Sequence, residues 1–241
     1  MTLVSYAHDF VYLRTRKTAG TSTEMYLQPF CMPAGRPVSE RNPRRIRSRE
    51  GIVGRRATSE KLPFLLRVEI AIRRGLGLVN WGPHMEAETV RDALDADFWQ
   101  RALKVSSVRN PFTRLVSAHY WNHAVEGKPV APGEQAIRYC RRMVRRGGFQ
   151  DDRKIVMIGK AFVPDVLIRQ VHLADDLTAL AARLGLDTSR TALPVTKKTH
   201  SSDAGRRPAI QDFYDDETAD IVRRRFAWAF THGNYSLDVP T

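Results

Sequence analysis

The sequence predicts one α/β domain in which a central parallel sheet is covered on both faces by helices. Three observations lead there. Short runs of β-branched and aromatic residues alternate with segments whose apolar residues recur at helical spacing. Two of those runs pass through a sharp turn straight into a helix, the usual opening of a phosphate-binding α/β unit. The chain has 241 residues, 42% hydrophobic and 27% charged, which is enough for a single sizeable core spanning residues 1–241.

Asp9 to Arg14 (DFVYLR) reads as a buried strand, Lys17 to Thr23 (KTAGTST) as a turn, and Glu24 to Leu27 as the body of a helix. Residues 36–56 hold eight arginines, two prolines and two glycines, and predict an exposed loop within a basic insertion at about 36–60. Lys61 to Arg74 alternates apolar and basic residues at helical spacing. Glu86 to Leu103 reads as helix with a break near Asp95 to Asp97, followed by a second strand, Lys104 to Val108. Pro111 to Trp121 is a helix with proline in its first turn. Gln135 to Arg146 is a basic helix ended by Gly147 and Gly148. Asp165 to Arg169 is a third strand, and Leu173, Leu177, Leu180 and Leu184 mark the face of a helix stopped by Gly185. A last helix runs from about Asp216 to Phe230, with Ala219, Val222, Phe226 and Phe230 inward. No internal repeat is present.

Net charge is +13, which draws anions: nucleotides, sulfated or phosphorylated sugars, nucleic acid or acidic lipid. The two cysteines, Cys31 and Cys140, are too few for a disulfide framework or a zinc site and fit a reducing compartment. No basic segment followed by an apolar stretch opens the chain, and no run approaches the roughly 18 apolar residues of a membrane span. These features predict a cytoplasmic protein without a membrane span.

The segment Arg14-Thr-Arg16-Lys17-Thr18-Ala19-Gly20-Thr21-Ser22-Thr23 carries the most chemistry. Unpaired amides and partial positive charge at a helix N-terminus bind phosphate or sulfate. Gly20 admits a close backbone approach. Thr18, Thr21, Ser22 and Thr23 add hydroxyls, and Lys17 adds a full charge. The same residues also fit an ordinary turn with a hydroxyl helix cap. The loop is not GxxxxGK[ST], because the lysine precedes the glycine by three.

The second segment is Val105-Ser-Ser-Val-Arg109-Asn110-Pro111-Phe-Thr-Arg114-Leu-Val-Ser117. Arg109 stands at a strand end, where open α/β sheets bind ligands. Arg114 and Ser117 are three apart on one helix face. A guanidinium fork with a hydroxyl suits a terminal phosphate. A structural ion pair for Arg109 and a packing role for Ser117 are the ordinary alternative.

Together these segments resemble the paired motifs of sulfotransferases that bind 3′-phosphoadenosine 5′-phosphosulfate (PAPS). The likeness is nearest to the branch containing the Golgi carbohydrate sulfotransferases and bacterial relatives. Trp99 to Ser117, Asp165 to Leu184 and Phe213 to Tyr235 extend it over most of the chain. The resemblance implies a P-loop-like sulfotransferase fold. It places the 5′-phosphosulfate on the loop of Arg14, Arg16, Lys17, Thr18, Ala19, Gly20, Thr21, Ser22 and Thr23. It places the 3′-phosphate on Arg109 and Ser117. Arg16 stands where relatives often have proline. Lys198 and Thr199 fall where relatives have a loop that closes over the nucleotide, and the pattern there is loose.

The implied reaction moves a sulfuryl group from PAPS to a hydroxyl or amine of an acceptor, an anionic glycan or a small metabolite. In-line displacement of this kind runs on positioning and electrostatics, and no metal is expected. The family likeness gives Lys17 the leaving-group charge. His84, between the two motifs, is the first choice of general base and Glu86 the second. As ordinary residues they would be a histidine and a favourable charge at a helix start. His119 and His123 fit packing or surface roles. The alternatives are a P-loop nucleotide kinase-like phosphotransferase and a basic nucleic-acid-binding module. The loop spacing opposes the first, and the lack of a nucleic-acid motif opposes the second, so nucleic acid is not expected as a partner.

Overall fold

Alternating apolar side chains that are buried on both faces of a strand build a central layer, and Phe10-Val-Tyr-Leu13 is such a strand. The computed structural model describes residues 1–40, 42–56, 64–76, 78–125, 133–193 and 208–241. The chain forms an α/β structure whose central sheet is flanked by helices. It divides into two compact units: Met1–Ser107 with Lys154–Thr196, and Val108–Arg153 with Lys197–Thr241.

The first unit holds the sheet. Its strands are β1 (Leu3–Ser5), β2 (Phe10–Leu13), β3 (Ile46–Arg47), β4 (Gly51–Val53), β5 (Leu103–Val108, whose last residue opens the second unit) and β8 (Val166–Arg169). Their spatial order is β3-β4-β1-β2-β5-β8. The three strands predicted from sequence are β2, β5 and β8, side by side. β2 and β5 are parallel, with Leu13 opposite Ser106.

The expected parallel sheet is present only in part. β1 pairs antiparallel with both β2 and β4, and β3 pairs antiparallel with β4, so the sheet is mixed. The exposed loop expected over 36–56 holds at Arg36 to Val38, which are exposed, and is corrected at its far end. Gly51, Ile52 and Val53 are buried and form β4. Gly51 is required there, because a Cβ would lie 2.0 Å from the Val4 carbonyl oxygen. The arginines around this short apolar run hide it from a reading by composition.

One sheet face packs Leu3, Phe10, Tyr12, Val53, Val105 and Ile168 with α1 (Gly20–Leu27) and α8 (Leu173–Leu184), through Tyr26, Leu27, Leu177, Leu180 and Ala181. Gly185 ends α8 in the left-handed conformation, as expected. α2 (Phe64–Gly75), α3 (Ala87–Asp92) and α4 (Ala96–Arg101) also belong to this unit. The predicted break before α4 is capped by the Asp95 carboxylate, which accepts from the Phe98 amide at 2.9 Å. α7 (Arg153–Val156) leads into a hairpin of β6 (Met157–Ile158) and β7 (Ala161–Phe162).

The second unit is helical: α5 (Pro111–Val125), α6 (Gly133–Arg145), α9 (Asp216–Arg225) and α10 (Ala227–Gly233). The predicted final helix is two helices, broken at Phe226, although Ala219, Val222, Phe226 and Phe230 are buried as expected. Phe112 anchors this core, with its ring edge-on to Tyr214 at 5.0 Å and its carbonyl taking the Tyr214 hydroxyl at 2.7 Å.

Candidate functional site

The loop from Arg14 to Ala19 joins β2 to α1 in the first unit and is tied at its base. The Thr15 hydroxyl donates to the Ser107 carbonyl at 2.5 Å and meets the Thr18 hydroxyl at 2.9 Å. The Tyr12 hydroxyl meets that of Ser107 at 2.7 Å, and Ser106 Oγ donates to the Leu13 carbonyl at 2.6 Å. These buried bonds lock the end of β2 to β5. They leave Thr18, which is buried, as part of the frame of the loop.

Two loop residues carry strain. Lys17 has φ 62° and Ala19 φ 59°, left-handed values that cost non-glycine residues roughly 1–2 kcal/mol each. Ala19 is the N-cap of α1 and offers no side-chain cap, so no side chain at that position occupies the first-turn amides of Gly20, Thr21 and Ser22. Successive N–H groups in such turns form an anion-binding concavity.

Gly20 also meets a steric need within the protein. A Cβ there would stand 2.9 Å from Arg14 Nε and 3.3 Å from the Tyr12 hydroxyl. Its missing side chain therefore makes room for Arg14.

Arg14 is committed within the protein. Its Nη1 donates to both oxygens of the fully buried Glu24 at 2.8 and 2.7 Å. Arg56 approaches the same carboxylate at 3.5 Å, and the amino group of Met1 pairs with it. Thr21 Oγ1 accepts from Arg56 at 2.5 Å and from Arg14 at 3.5 Å. Burial, then repulsion by Arg56, brings the Arg14 pKa down to about 10. Thr23 Oγ1 donates back to the Ala19 carbonyl at 3.4 Å. One buried carboxylate thus gathers several positive groups directly beneath the loop, while Arg16 and Lys17 lie half-buried on it. Glu24 and Arg56 escape a reading by sequence. Glu24 looks like any early helical glutamate, and Arg56 closes an arginine-rich run.

His84 enters this cluster. Its Nδ1 lies 3.0 Å from the Arg14 carbonyl oxygen, an arrangement that makes Nδ1 the donor and leaves Nε2 as a lone-pair acceptor. Its backbone is also left-handed, with φ 56°. The preceding segment is fixed by the Gly82 carbonyl, which takes both the amide and the hydroxyl of Thr2. Burial first, then the charges of Arg14 and Arg16, push the His84 imidazole down to about 2. Glu86 is the N-cap of α3, and its carboxylate pairs with Lys154 at 3.4 Å, half exposed.

From Val108 onward the second motif lies in the second unit. Asn110 caps α5, with Oδ1 accepting from the Phe112 amide at 3.0 Å, which explains the Asn-Pro pair. Arg109 Nε donates to Thr113 Oγ1 at 3.0 Å, and burial lowers its pKa. Thr113 and the half-buried Ser117 are four apart, on one helix face with Arg109 at its head.

Arg114 does not join them as expected. It is buried, bonds Asp152 Oδ2 at 2.6 Å and the Gln150 carbonyl at 2.9 Å, and lies over the Phe226 ring. Thr113, which sequence reading passed over, takes the place next to Arg109. Lys198 and Thr199 lie outside the described residues. Among the described residues no cluster of His, Cys, Asp or Glu could hold a metal ion, and no helix is long and apolar enough to cross a membrane. Compared with protein-family models, with curated proteins and with solved structures, the chain matches none of them.

Proposed function

We propose that the protein is a sulfotransferase that takes a sulfuryl group from PAPS to an acceptor hydroxyl or amine, on a P-loop-like sulfotransferase fold. The observation that carries this reading is the amino end of α1. Its cap position has no side-chain hydrogen bond, two left-handed residues shape the loop before it, and positive groups gather around it. Such an end binds a tetrahedral oxyanion through its amides. The resemblance of the motif gives that oxyanion as a 5′-phosphosulfate and gives Arg109, with Ser117, the 3′-phosphate.

In this scheme the amides of Gly20 to Ser22 hold the phosphosulfate, and Lys17 offsets charge as the sulfuryl–oxygen bond breaks. Arg14 and Glu24 support the loop from below. His84, with its tautomer set by the Arg14 carbonyl, accepts the acceptor's proton at Nε2. The dianionic phosphosulfate of the donor, placed on the loop, offsets the Arg14 and Arg16 charges and raises the basicity of His84. The acceptor is a carbohydrate or small metabolite, in keeping with the net charge of +13 if it is anionic.

The test uses the intact chain with adenosine 3′,5′-bisphosphate in calorimetry and with labelled PAPS over a panel of glycans and small alcohols. Lys17→Ala is expected to abolish transfer. Arg109→Ala is expected to weaken nucleotide binding by about tenfold or more, the cost of one charged hydrogen bond. Absence of any heat of nucleotide binding at low salt would end this reading.

A further inference from the structure

Helix α2 departs from the rule that a surface helix turns its apolar stripe inward. It spans Phe64–Gly75, about 18 Å. Phe64, Val68, Ile72 and the following Leu76 form a row four residues apart, and Leu65 lies beside it, all within an arc of about 120°. These side chains face solvent: Phe64 is 74% exposed, Leu65 79%, Ile72 57% and Leu76 68%. Leu78, just beyond, is also exposed. Contiguous apolar surface of this kind marks a contact site. The helix sequence carries Arg67, Arg73 and Arg74 against one acid, Glu69.

We infer that α2 is a membrane-surface helix that lies flat on a bilayer rich in anionic lipid. An apolar row on a short helix with excess arginine is what the headgroup boundary binds, with hydrocarbon burial and charge attraction acting together. The charge decides the occupant. The whole chain carries +13, so a second copy would set two basic helices against each other, whereas an anionic bilayer complements both the row and the net charge. Twelve helical residues are too few to span and sufficient to lie in the interface. The inference is independent of the proposed enzymatic activity.

The experiment is co-sedimentation of the full chain with vesicles of equal parts phosphatidylcholine and phosphatidylglycerol, compared with phosphatidylcholine alone. Binding is expected to the mixed vesicles, to weaken with salt and to be small on the neutral ones. The double substitution Leu65→Glu with Ile72→Glu should lower partitioning about tenfold or more, through lost apolar burial. Both positions are exposed, so the thermal midpoint should not move. As a separate readout, an environment-sensitive dye on Leu65→Cys should shift its emission to the blue on the mixed vesicles. Wild-type protein left in the supernatant at low salt would overturn the inference. So would a double variant that binds as well as wild type, since the general basic surface would then do the binding. Self-association abolished by the double variant, without vesicle binding, would make the face a protein contact and also overturn it.

Discussion

At the scale of single residues, strain and field coincide. Lys17, Ala19 and His84 are non-glycine residues in the left-handed region, and all three belong to the candidate loop or its histidine. Strain of this sort persists only where surrounding contacts over-determine it, and here the Thr15–Ser107 and Glu24–Arg14 bonds supply those contacts. His84 reports the field. Its folded pKa is depressed far below that of an unfolded histidine, so the unfolded chain binds the extra proton as pH falls from about 6.5. Stability is therefore intact above that pH and declines below it. Thermal melts between neutral and acidic pH should show this loss in the wild type and a smaller one in His84→Asn, which keeps a residue tolerant of the left-handed backbone. An equal acid loss in both would remove His84 as its source. In NMR, the His84 ring should stay neutral through mildly acidic pH and titrate higher once adenosine 3′,5′-bisphosphate is bound.

At the scale of elements, each motif works as a helix beginning, by different means. α1 starts on Ala19 and lacks a side-chain cap, whereas α5 starts on Asn110, whose carboxamide closes its first turn. Asn110→Ala should cost about 1 kcal/mol in denaturant unfolding, the usual value of a lost cap. Arg109 would then lose its fixed position beside Thr113. An unchanged midpoint would show that the proline alone sets the start of α5. The same scale explains what sequence reading found and missed. β2 and β8 are legible as runs rich in apolar residues, and β5 from its valines and its place before the Arg-Asn-Pro turn. β1, β3 and β4 are only two or three residues long, too short for any period to register, and their stability comes from pairing with neighbours rather than from propensity. The division of the last helix at Phe226 interrupts no periodicity, so the burial pattern was readable and the break was not.

At the scale of the whole molecule, the chain forms two compact units, and each buries one cysteine. Burial raises the Cys31 thiol well above its ordinary value and pushes Cys140 up to about 12. Only thiolate reacts readily. Native protein should therefore react with a thiol reagent at neither site near neutral pH, and denatured protein at both. Fast labelling of one native cysteine would show that its unit opens locally. One of the points where the chain passes from one unit to the other is Ser107–Val108, inside β5, where no change of composition marks it.

The sequence by itself determined the α/β class, three of the strands, most helix ends and the two strand–turn–helix segments, because periodicity, caps and turn residues are local properties. Tertiary structure decided that the sheet is mixed, that the arginine-rich run contributes a buried strand and Arg56, that Arg14 serves Glu24, and that Thr113 replaces Arg114 beside Arg109. Each of those outcomes depends on which distant groups become neighbours once water is excluded. A buried charge or hydroxyl must then find a partner that spacing along the chain does not reveal.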